Sequence, residues 1–155
     1  MMFITISPKQ AEQYSYTCIR LKQMINKMCA ARKTLEGIAN ASFDKSFSKC
    51  VYLFTSESLQ CENEIRAQIE SLSCFNYEDN NINSQKTSPA NAINGIESIC
   101  NYCEKAYLKP YKKLLSDKHI GNSLKSLMQN HLQLFMSSLT QLRLFNEVKT
   151  AAKLN

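Results

Sequence analysis

The chain has 155 residues, of which 44% are hydrophobic and 21% charged, and a formal net charge of +6. Three glycines and three prolines disfavour a turn-rich all-β fold, and the length suits one domain burying about 70% of its unfolded surface. The charge favours acidic partners weakly and is no nucleic-acid signature by itself.

The first residues, Met1 to Pro8, carry no basic flank and too short an apolar stretch for a secretion signal. No run reaches the ~18–20 apolar residues that span a bilayer, so the expectation is a cytoplasmic chain with no membrane partner. Seven cysteines, an odd number without such a signal, argue against a disulfide framework and for packing as small hydrophobes.

Four long helices follow from periodicity, approximately 8–36, 42–74, 89–115 and 122–149. The first starts at Ser7-Pro8-Lys9-Gln10, where Ser7 caps, Pro8 takes the first helical position and Gln10 completes a capping box. Its face runs Tyr14, Cys18, Leu21, Ile25, Met28 and Leu35, and Gly37 is expected to end it. Asn40 or Ser42 is expected to cap the second, whose face runs Phe43, Phe47, Cys50, Phe54, Cys61, Ile65 and Leu72.

A polar, Asn-rich stretch follows, and Ser88-Pro89 repeats the helix-start pattern. The third helix presents Ile93, Ile96, Cys100, Cys103, Tyr107, Tyr111 and Leu114, with Pro110 expected to kink it near Ala106-Tyr107 or end it early. In the fourth, Leu124, Met128, His131, Phe135, Ser138, Leu142 and Phe145 alternate steps of four and three, keeping one stripe against its neighbours. The outer connections are short and the middle one, Phe75 to Ser88, is long. That pattern predicts a ferritin-like four-helix bundle with a crossover between helices two and three; a plain up-down-up-down bundle is the alternative.

Cys61-Glu62-Asn63-Glu64-Ile65-Arg66, then Cys103-Glu104-Lys105-Ala106-Tyr107-Leu108-Lys109-Pro110-Tyr111, then a short turn into Leu124-Lys125-Ser126-Leu127-Met128 resembles an uncharacterised bacterial ferritin-like family, a domain of unknown function. The resemblance covers approximately Asn40 to Lys149. It implies a ferritin-like fold and no established activity, although the wider superfamily includes iron proteins.

A di-iron bundle site needs Glu-x-x-His on two helices. Only His119 and His131 are present, and neither follows an acid at that spacing, so the standard centre is absent. A degenerate iron or zinc site remains open, with Glu104 and His131 as the leading ligands and Glu97 and Glu62 beside them. Glu57, Glu64 and Cys100 are also available. The competing reading makes His131 a core residue bonded to a Glu or Tyr. Cys100-Asn101-Tyr102-Cys103 is a lone pair within a helix and reads as packing thiols rather than a redox motif.

Glu57 to Asp79 carries six acids against Arg66, whereas Lys105 to Lys118 carries five lysines against Asp117, a distribution expected to pair within the bundle or across a dimer. No phosphate-cradling loop, nucleophile elbow or nucleic-acid-binding signature is present. The sequence therefore predicts a non-catalytic bundle with no required cofactor, acting by self-association as a homo-oligomer or through a protein partner. A metal-binding bundle is the alternative.

Overall fold

The computed structural model describes residues 7–73 and 95–154. Among them every regular element is helical: α1 (Pro8–Ala41), α2 (Lys45–Ser73), α3 (Gly95–Cys103), a π-helical segment (Glu104–Leu108), α4 (Lys109–Leu115) and α5 (Asn122–Leu154). Because α3, the π segment and α4 follow one another without a break, they act as one third helix. No helix among the described residues is long and apolar enough to cross a membrane.

The capping box forms as read. Ser7 Oγ accepts the Gln10 N–H at 3.2 Å, and Gln10 Oε1 accepts the Ser7 N–H at 3.3 Å. Gly37 does not end α1, which continues to Ala41 and closes on an extended Ser42. Glycine costs a helix interior about 1 kcal/mol. Burial of Ala39 and packing of Ile38 against the core offset that cost. The second helix starts later than expected, because Asp44 caps it rather than Asn40 or Ser42. Its Oδ1 accepts from the N–H groups of Ser46 and Phe47 at 3.0 and 3.2 Å. Phe43, expected on the inward face, lies in the connection at 100% exposure.

Gly95 opens α3 at φ +79°, a left-handed conformation that a side chain would strain. The expected start at Ser88-Pro89, Ile93 and the connection Phe75–Ser88 lie outside the described residues. Pro110 neither ends the third helix nor sits in a regular turn. The Lys109 N–H donates to Glu104 O, five residues back, and this wide turn precedes the proline. In a regular α-helix the Pro110 ring would meet the Ala106 carbonyl. The π segment relieves that clash and keeps Cys103, Tyr107 and Tyr111 all buried.

Side-chain contacts fix the helix directions. α1 and α2 are joined by a three-residue turn and run antiparallel. α5 runs antiparallel to α2, since Glu57 meets Ser138 and Glu64 meets His131. It also opposes the third helix, since Glu104 meets Arg143 and Tyr111 meets His131. So α2 and the third helix run the same way, with Phe54 and Ser58 beside Tyr107 and Cys61 beside Tyr111. The α4–α5 turn is fastened to α1. Tyr16 Oη donates to Asp117 at 2.5 Å, Arg20 approaches the same carboxylate at 3.4 Å, and Gln13 Nε2 donates to His119 O at 3.1 Å.

The α5 ladder buries Leu124, Met128, His131, Phe135 and Leu142, with Ser138 and Phe145 half-buried at its edge. At mid-height Phe54, Tyr107, Tyr111 and Phe135 form a tilted and edge-to-face aromatic cluster with centroids 4.9–5.6 Å apart.

Candidate functional site

Two polar clusters flank this aromatic centre. On the α1 side, Glu62 is fully buried and held by both arms of Arg32, Nε at 2.8 Å and Nη2 at 3.3 Å. Arg32 also reaches Glu36 at 3.0 Å and Cys29 Sγ at 3.6 Å. Ser58 donates to Glu62 at 2.9 Å. The Tyr107 hydroxyl, 3.0 Å from Ser58 Oγ and 3.3 Å from Met28 O, completes the line. A buried carboxylate needs compensating charge and donors, and here the Arg32 guanidinium, the Ser58 hydroxyl and, at 4.0 Å, Arg66 supply them.

On the α5 side, His131 is buried between two partners. Its Nδ1 lies 3.0 Å from Tyr111 Oη, and its Nε2 lies 2.5 Å from Glu64 Oε2. The neutral ring satisfies both when Nε2–H donates to Glu64 and Tyr111 donates to Nδ1. Cys61 stands one turn before Glu64 on α2, the spacing that places both on one face. Ligand atoms of Cys61, Glu64 and His131 lie within 4.8 Å of one another. Burial, and then the nearby carboxylates Glu64 and Glu57, push the Cys61 thiol up to about 12.

The four expected ligands do not converge. Glu104 is paired with Arg143 on the surface, twelve residues along α5 from His131, which at 1.5 Å per residue is roughly 18 Å away. Glu97 is exposed and acts on Arg143 electrostatically. Glu62 faces α1 and is engaged by Arg32. Only His131 stays at a metal-competent cluster, with Glu64 and Cys61 replacing the expected partners. The Cys-x-x-Glu spacing on α2 was the signal for this. Nothing local marked Arg32 as inward, since its pairing with Glu36 reads as an ordinary surface pair. Cys100 and Cys103 are buried packing thiols, and burial raises both.

A groove of about 500 Å³ runs along the outside between the third helix and α5. Buried Leu108 and Leu139 and half-exposed Met136 give it an apolar floor. Lys105, Lys109 and Lys112 line one wall, and Arg143 lies opposite with Glu104 beside it. Three of the α2 acids pair elsewhere than with these lysines. Glu57, Glu62 and Glu64 meet Ser138, Arg32 and His131.

Compared with protein-family models, curated proteins and solved structures, the chain matches none of them.

Proposed function

We propose that the chain is a non-catalytic, ferritin-like four-helix bundle working as a binding module, and that it takes an acidic amphipathic helix of a partner protein into the groove between the third helix and α5. The parallel course of α2 and the third helix supports a crossover between them, because a short loop cannot join parallel neighbours of this length. The closed Arg32–Glu62–Ser58–Tyr107 line supports a structural interior.

One observation carries the reading: Lys105, Lys109 and Lys112 rim an apolar floor, and no described carboxylate lies within ion-pair reach of them. They recur at four and three residues over roughly 10 Å, matching Met136, Leu139 and Arg143 across the groove. An inserted helix with Leu on one face and Glu beside it meets both the floor and the rim. The ammonium groups also give attraction that salt weakens.

The test is fluorescence anisotropy of a labelled peptide with Leu and Glu at helical spacing against the full chain. Binding that weakens with salt and is lost in Lys109→Glu/Lys112→Glu is expected. Equal binding of a Leu/Lys counterpart, or an unchanged affinity in the double variant, overturns the proposal. A dimer in sedimentation that the same double variant dissolves would assign the groove to a second copy instead.

A further inference from the structure

The α5-side cluster is independent of the groove. We propose that Cys61, Glu64 and His131 form a mononuclear zinc site whose fourth position is open to water.

The donor set is a thiol, a carboxylate and an imidazole, which suits zinc and excludes the hard cations magnesium and calcium. At bond lengths of about 2.3 Å for sulfur and 2.0–2.2 Å for nitrogen and oxygen, tetrahedral donors stand about 3.3–3.7 Å apart. The present spacing, from 2.5 Å between His131 and Glu64 up to the 4.8 Å limit of the cluster, brackets that range. The metal takes the place of the proton shared between Nε2 and Oε2, and the thiol moves inward. Both ligands on α2 sit one turn apart, so a single helix holds two of them rigidly.

Tyr111 makes the exchange cheap. When Nε2 carries the ring proton, the Tyr111 hydroxyl, 3.0 Å away, donates to His131 Nδ1. Once zinc occupies Nε2 the ring carries its proton on Nδ1, and the same oxygen accepts it. The Tyr111 O–H then turns to Met28 Sδ, 3.7 Å away. A phenol serves both tautomers, which a carbonyl in its place could not. Glu64, Glu57 and Glu62 all act electrostatically on Cys61, the last of them paired with Arg32. Binding requires the Cys61 thiolate and a bare Nε2, so protons leave as zinc enters and affinity weakens as pH falls. Access runs past Glu64, whose side chain is 44% exposed beside a shallow surface depression lined by Gln60, Asn63 and Ala67.

The experiment is titration of the chelator-stripped full chain with cobalt(II), followed by displacement with zinc. One equivalent should give a thiolate-to-cobalt charge-transfer band and tetrahedral ligand-field bands, both lost on adding zinc. Cys61→Ser should abolish the charge-transfer band. Glu64→Gln, at a half-exposed position that leaves the core intact, should weaken cobalt binding at least about tenfold. Tyr111→Phe should keep the spectrum but weaken binding about 10–100-fold. No charge-transfer band at saturating cobalt overturns the proposal. So does a band that survives Cys61→Ser and vanishes in Cys100→Ser, or an unchanged affinity in Glu64→Gln.

Discussion

At the scale of single residues, the strongest energetic statement concerns Arg32 and Glu62. Glu62 has no solvent contact, so its charge depends chiefly on the Arg32 guanidinium that clasps it, with Arg66 farther off at 4.0 Å. Breaking a buried pair from one side leaves an uncompensated charge and costs about 3–5 kcal/mol. Arg32→Met should therefore lower stability by that amount in urea denaturation. Arg32→Met/Glu62→Leu removes both charges and replaces them with apolar volume, which is commonly neutral or stabilising. The double variant should recover most of the loss. If it is as unstable as the single one, the pair is needed for its hydrogen bonds to Ser58 rather than to balance charge. The residue scale is also where sequence reading was weakest. A histidine on a seam announces burial, and the reading that His131 bonds a core Glu or Tyr describes its contacts with Tyr111 and Glu64. Which glutamate turns inward is not a local property. Glu62 and Glu64 differ by two residues, about 200° around a helix, and so face opposite neighbours.

At the scale of elements, local chemistry explains what was legible. The Ser7-Pro8-x-Gln10 start needs only four adjacent residues, and it forms as read. At the α1–α2 turn the sequence pointed to Asn40 or Ser42, whereas Asp44 caps α2, and the helix ends there follow the packing of Ala39 and Phe47. Pro110 tests the opposite case, a residue whose local rule is met by a structural device. Proline inside a regular helix costs about 3 kcal/mol relative to alanine. If the π segment has already relieved the ring clash, Pro110→Ala recovers at most one backbone hydrogen bond, worth about 1 kcal/mol. It also loses roughly 0.4–1 kcal/mol of unfolded-state restriction. The urea midpoint should shift little. A gain near 3 kcal/mol would mean that the strain persists at Pro110 and that the wide turn has another origin.

For the whole molecule, the bundle was legible because four faces of helical period repeat along the chain, and burial follows them closely. The direction of the third helix came from loop lengths alone, and the described contacts supply it. The same burial sets the response to alkali. Cys61, Cys103, Tyr107 and Tyr111 are buried in the centre, and burial is the main cause that raises all four above their ordinary values, Cys61 to about 12. Below about pH 9 folded and unfolded chains both keep these protons, and the full stability is present. Above that the unfolded chain releases its thiol protons while the folded one retains them, so stability falls as pH rises. Each such group contributes about 1.4 kcal/mol per pH unit within its window. Cys61 and Cys103 alone give about 3 kcal/mol per unit from pH ~9, Cys18 and Cys100, also raised by burial, add to it, and the phenols contribute above pH ~10. Against a typical total of about 5–15 kcal/mol, this unfolds the chain before pH ~12. Urea midpoints should therefore be flat from about pH 7 to 8.5 and fall steeply beyond pH ~9.5, with tyrosinate absorbance rising at the unfolding step. A flat midpoint to pH ~11 would show that these groups ionise in the folded bundle, and that its centre is open to water.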